Sequence, residues 1–155
     1  FAMENLPKGN ERLLPPITYN ELYCLAQNIF HEASSEPIEA QILLAKATIN
    51  RVNDRRWPNS ICGVISQKNQ MSWYKLKHKR DFKIPKKYIK FADDVIMGNY
   101  GGVDENYTNW YNRNLDSRKS SNARLMLGDN KKYIMTASKT IKGSAHTFIA
   151  YEKES

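Results

Sequence analysis

Long apolar runs are missing from this chain. No stretch approaches the ~20 residues that a helix needs to span a bilayer, which excludes a helical integral membrane protein. Cysteine is scarce: Cys24 and Cys62 are the only two. They form either a bridge or two free thiols, and they decide neither compartment nor chemistry. Three histidines scattered along the sequence are a poor basis for a metal centre. The pair His31-Glu32 begins like a helical zinc-protease signature, but that pattern needs a second His four residues after the first, and position 35 is Ser. No metal and no cofactor is expected. Internal repeats and low-complexity linkers are also absent, and nothing near the start has the charged, apolar, small-residue order of a secretory leader. Phe1 and Ala2 read as a cloning remnant before Met3, so synthesis without export signals is expected.

Acidic side chains are nearly missing from one region. Between residues 61 and 90 there are nine Lys or Arg and a single Asp, and this stretch holds essentially the whole net charge of +8. Lys75 to Lys90 should therefore create a concentrated positive field, for which an anionic polymer or surface is the natural partner. Lys86, Lys87 and Lys90 stand near an expected helix N-terminus, where cations are electrostatically disfavoured, a further hint of anion attraction.

What is present fits one soluble domain. The 155 residues are 41% hydrophobic, with 5 Phe, 3 Trp and 9 Tyr, enough for one packed core and too few for two comfortable ones. Residues 1–17, ending after Pro15-Pro16, read as an irregular lead-in, and 18–155 as a single domain, expected to be a monomer. Thr18 and Glu21 form a capping box, after which Leu22, Leu25, Ala26, Ile29 and Ala33 recur at helical spacing. Pro37 opens a second helix, with Ile38, Ile42, Ala45, Ile49 and Val52 in one apolar row and Ala40, Leu44 and Ala47 in another; little of its circumference is polar, as in a central core helix. Turn-prone Trp57 to Ser60, the short apolar run Ile61 to Ile65 and polar Gln67 to Ser72 read as loops and a short helix. A third long helix should run from Pro85 to Met97, with Tyr88, Phe91, Ala92, Val95 and Ile96 inward and Gly98 closing it. Tyr107 to Tyr111, Tyr133 to Met135 and the alternating end from His146 to Tyr151 suggest short strands among long loops.

Glu32 lies about 70° from the middle of the first helix's apolar stripe, at the border between core and water. Burial there disfavours the charged form and raises the pKa, as a general acid working near neutral pH requires. On placement alone, an ordinary boundary carboxylate is the commoner outcome. Asn50, Arg51, Gln41 and Gln70 serve either to satisfy buried backbone groups or to contact a ligand. Trp73, Trp110 and Tyr111 are either core or flat faces suited to sugars, with Asn112 beside them to bond hydroxyls.

The ordered string Ile29-Phe-His-Glu-Ala-Ser-Ser-Glu36, Ala40-Gln41, Asn50-Arg51-Val52, Trp57-Pro58, Ile61-Cys62-Gly63-Val64, Gln67 and Gln70-Met-Ser-Trp73 resembles the SleB/CwlJ-type cell wall hydrolases. That family reads Glu-Ala-Arg-Gly-Glu, Gly-Gln, Asn-Arg-Val, an aromatic before Pro, Ile-Cys-x-Val and Gln-Phe-Ser-Trp in the same order. Asn109-Trp110-Tyr111-Asn112 and Gly143-Ser-Ala-His146-Thr-Phe148 are similar to its later segments, so the likeness spans roughly residues 22–150. Departures are Ser34-Ser35 for Arg-Gly, Ala40 for Gly, Met71 for Phe, and a basic insert at 75–87 without a counterpart.

The resemblance implies an α+β, mainly helical, lysozyme-like domain with a small β element. It also implies cleavage of peptidoglycan glycan strands between N-acetylmuramic acid and N-acetylglucosamine, with Glu32 as catalytic acid and 1,6-anhydro products formed by lytic transglycosylation. Gln70, Ser72, Trp73, Tyr111, Asn112 and His146 become candidate substrate-binding residues, although His146 is as readily a packed strand residue. Glu36 would support Glu32 or hold a loop; in a muramidase that uses water it would be the second carboxylate. A phage endolysin, made in the host cytoplasm and acting on the wall in the periplasm, suits this reading. A nucleic-acid-binding module built on the basic stretch is the remote rival, and no nucleic acid is expected because it leaves the motif series unexplained.

Overall fold

In the computed structural model, residues 16–101, 106–113 and 133–153 are described. The lead-in proposed for 1–17 therefore lies, up to residue 15, outside the described residues. The helices are α1 (Tyr19–Ala33), α2 (Ile38–Asn53), α3 (Ile61–Ser66), α4 (Lys77–Asp81) and α5 (Lys86–Ile96), with a 3-10 turn at Ser72–Lys75 before α4. Three strands, β1 (Tyr107–Asn112), β2 (Tyr133–Thr140) and β3 (His146–Lys153), form an antiparallel sheet in the order β1-β3-β2. This is the mainly helical α+β arrangement expected. No described helix is long and apolar enough to cross a membrane.

α1 packs against α2, α3 and α5, while α2 also meets β1. Leu25, Ala26, Ile29 and Ala33 of α1 are buried against Leu44, Ala45, Ala47 and Ile49 of α2 and Tyr88, Phe91, Ala92 and Val95 of α5. From Leu44 to Asn53 every residue of α2 is buried, so it is indeed the central helix. Its N-terminal end differs from the expected row: Ile38 is 57% exposed, because the first turn projects beyond the helices that cover the rest. α5 matches its expected span apart from the cap residues Pro85 and Met97, and Gly98 closes it at φ +82°, a conformation that favours glycine.

Three polar features tie the layers together. The Asn28 amide donates to Thr48 Oγ1 at 3.0 Å and accepts from the Trp73 indole at 2.9 Å, joining α1, α2 and the 3-10 turn inside the core. Cys24 and Cys62 form a disulfide that fastens α1 to α3, which resolves the two alternatives for them. Thr18 accepts from the Glu21 N–H as a capping box requires, but the reciprocal bond is not made. The Glu21 carboxylate reaches instead to the N–H groups of Ile61 (2.5 Å) and Cys62 (3.4 Å), orphan donors at the start of α3.

Candidate active site

Glu32 occupies the last turn of α1, half-buried, and its neighbours come from three other parts of the chain. The Trp110 indole of β1 donates to its carboxylate, and Arg51 of α2 and Lys79 of α4 act on it electrostatically. Burial is the dominant influence and raises the Glu32 pKa; the indole bond and the two cations pull the other way. Desolvation thus favours the protonated acid, with groups in place to receive its anion.

Arg51 is 1% exposed. Its Nε donates to the Thr108 carbonyl at 2.5 Å, and its Nη1 to Gln70 Oε1 at 3.3 Å. Its guanidinium lies 4.7 Å from the Trp110 ring centroid and 5.3 Å from that of Trp57. Desolvation lowers its pKa to about 9, with Glu32 opposing the shift, so it stays charged at neutral pH. Asn50 donates to the Tyr107 carbonyl at 2.8 Å, and Gln41 to the Glu36 carbonyl at 3.0 Å. These α2 side chains thus do satisfy backbone groups, and Arg51 in addition brings charge to Glu32.

Glu36, in the turn between α1 and α2, has a different environment. Both carboxylate oxygens accept from the Ala145 N–H, at 3.1 and 3.2 Å, and Oε1 lies 2.8 Å from His146 Nδ1. Glu36 therefore pins the turn to the start of β3. His146, buried beneath this turn, has its pKa lowered by desolvation despite the facing carboxylate. Asn112 is its register partner across the sheet, and Tyr111 pairs with Thr147. Both are half-buried at the end of β1, on the strand that carries Trp110.

The remaining candidates divide. Gln70 joins the Glu32 surroundings through Arg51, and Ser72 is exposed at the start of the 3-10 turn. Trp73 corrects the expectation of a sugar-stacking face: it is 2% exposed, bonded to Asn28 and stacked on His31 at 4.6 Å, because its large ring fills the core behind the end of α1. His146 is likewise buried. Trp110 gains what Trp73 loses, since it alone among the described tryptophans is only partly buried. Its place beside Glu32 depends on the pairing of β1, which the local sequence does not encode. Among the described residues, no group of three or more His, Cys, Asp or Glu side chains is placed to hold a metal ion.

A family model described as Cell Wall Hydrolase matches residues 35–148. The chain belongs to this family of cell wall hydrolases. Glu32 stands just ahead of the matched range, while Glu36, Arg51, Gln70, Trp110 and His146 fall within it. Among curated members, the spore cortex-lytic enzyme of Bacillus subtilis is 44% identical over 61 residues, covering 39% of this chain and 18% of that protein. Its Bacillus cereus counterpart is 33% identical over 66 residues, covering 41% of this chain and 26% of that protein. The matches thus span about a quarter or less of these relatives. The fold is similar to the catalytic domain of the germination-specific lytic transglycosylase SleB from Bacillus anthracis, with TM-score 0.64 and 20% identity, covering 94% of this chain and all of that one. The catalytic domain of Bacillus cereus SleB gives TM-score 0.63 at 20% identity, covering 94% and 96%. The cell wall hydrolase fold expected from the motifs, lysozyme-like and mainly helical, is therefore the fold of this chain.

Proposed function

We propose that this cell wall hydrolase cleaves peptidoglycan glycan strands between N-acetylmuramic acid and N-acetylglucosamine as a lytic transglycosylase, with Glu32 as its single acid and base. Protonated Glu32 gives its proton to the glycosidic oxygen as the bond to the muramoyl anomeric carbon breaks. The carboxylate left behind removes the proton of the muramoyl C6 hydroxyl, whose oxygen closes on that carbon. A 1,6-anhydro end forms, and Glu32 is again protonated. The observation that carries this reading is the mixed environment of Glu32: burial favours its protonated form, while Trp110 and Arg51 favour the anion it becomes.

The hydrolytic muramidase is the second reading, and Glu36 would be its other carboxylate. Against it stands the engagement of both Glu36 oxygens by Ala145 and the approach of one to His146. A nucleophile or water-positioning base needs a free oxygen directed at the sugar. Gln70, Tyr111, Asn112 and Ser72 remain proposed substrate contacts, and the exposed lysines of Lys75–Lys90 would draw the enzyme to the anionic wall. A bacteriolytic, endolysin-like role in the periplasm fits such an activity, and lysis on co-expression with a membrane-permeabilising holin would test it.

The deciding experiment is mass spectrometry of muropeptides released from purified walls. Wild type should yield anhydro ends, whereas reducing muramic ends would select the muramidase. Glu32→Gln keeps the shape but cannot donate the proton, so the rate should fall at least about a hundredfold with folding retained. Full activity in that variant removes Glu32 from the mechanism.

A further inference from the structure

The basic segment folds back over the end of α1 and does not merely trail from the surface. The Gln27 amide donates to the Arg80 carbonyl at 3.2 Å, and the Ile84 N–H donates to the Tyr23 hydroxyl at 3.1 Å. Arg80 turns inward, donating to the Tyr74 carbonyl with its guanidinium 5.4 Å from the Tyr74 ring centroid. Phe82 stacks on Phe30 at 5.3 Å with an interplanar angle of 11°, two residues before Glu32. Phe82 is nevertheless 48% exposed and Leu76 42% exposed. Lys75, Lys83 and Lys86 are exposed in the same segment. Lys79 is close enough to bear electrostatically on Glu32 itself. A segment with exposed apolar side chains and exposed lysines thus docks beside the helix end that carries the candidate acid.

We propose that residues 75–87 form a lip of the substrate groove that holds the carboxylates of peptide stems on the glycan strand, so that the enzyme favours stem-bearing over bare glycan. This rests on the reading of Glu32 as the acid that cuts beside a muramoyl residue. N-acetylglucosamine carries no charge, and in a stem-bearing muramoyl residue the lactyl carboxyl is taken up in the amide to the stem, so lysines have little to recognise in the sugars themselves. Each muramoyl unit, however, bears a lactyl ether from which a stem with free carboxylates extends. A strand cut beside that unit must place a stem close to the scissile bond. Lysine ammonium groups on flexible stems suit carboxylates whose positions vary, and the exposed ring of Phe82 offers a face to alanine methyls of the stem. The charge and the apolar side chains belong to one segment, docked on α1, the helix that carries Glu32.

The test compares purified stem-bearing glycan with the same strands stripped by an N-acetylmuramoyl-L-alanine amidase, which leaves each muramoyl unit a single lactyl carboxylate in place of the stem and its several carboxylates. It uses wild type and a Lys75→Gln, Lys83→Gln, Lys86→Gln triple variant checked for native circular dichroism. Wild type should cut the stem-bearing strands about tenfold faster at low salt, from a few exposed ion pairs acting together. The preference should shrink to about twofold in the triple variant, and likewise at about 0.5 M salt. Phe82→Ser should raise KM for stem-bearing strands and leave kcat intact. Equal wild-type rates on both substrates overturn the proposal. So does a triple variant that keeps the preference, or wall binding that follows phosphate polymers and ignores the stems. Failure of the underlying reading is distinguishable, because Glu32→Gln would then still cut both substrates.

Discussion

Two glutamates four residues apart, Glu32 on α1 and Glu36 in the turn that follows it, differ in what surrounds their carboxyls. Glu32 is raised in pKa by desolvation and receives the Trp110 indole, whereas Glu36 is engaged by a backbone N–H and an imidazole. Trp110→Phe deletes a bond that favours the Glu32 anion, so the pKa should rise further. Activity that needs the protonated acid would then persist to higher pH, and the alkaline limb of the rate profile should move upward while the maximal rate falls. An unmoved limb would mean that the indole does not tune the acid. Glu36→Gln should lower stability by about 1 kcal/mol through loss of the charged partner of His146 and Ala145, and it should leave the released products unchanged. A fully stable variant without product would instead revive the scheme of two carboxylates; thermal unfolding and muropeptide analysis together distinguish the two.

Among the elements, the disulfide between α1 and α3 closes a loop with a sequence separation of 38. Loop-closure entropy for such a span corresponds to about 4 kcal/mol, so Cys24→Ser should reduce the unfolding free energy by roughly that amount, measured by urea denaturation against wild type with and without reductant. No difference under oxidising conditions would show that the bridge contributes nothing. Elements encoded locally were legible in the sequence. Thr18 opened α1, Gly98 closed α5, and the alternation from His146 to Tyr151 became β3. What was not legible depends on distant partners. Glu21 looked like half of a capping box, yet Ile61, forty positions away, takes its carboxylate. Trp73 and Trp110 looked alike as candidate sugar faces, and only the packing of the 3-10 turn and the pairing of β1 with β3 separate them. Glu32 itself was legible, because helical phase puts it at the core boundary and the motif string singles it out, whereas the charge and indole around it come from α2, α4 and β1.

At the scale of the whole molecule, a buried cation joins helix to sheet. Arg51 spans from α2 to the Thr108 carbonyl of β1, rests against Trp57 and Trp110, and faces Glu32. Arg51→Met leaves the Thr108 carbonyl and Gln70 Oε1 without their donor, and losing hydrogen bonds from a charged group should lower the unfolding free energy by about 2 kcal/mol. Urea titration would check this, and a midpoint equal to wild type would argue against it. The same side chain therefore answers to two selective pressures at once, one from folding and one from turnover. A screen for inactive variants would keep returning position 51 for either reason, and a dead variant there would reveal nothing about chemistry until its folded population had been counted.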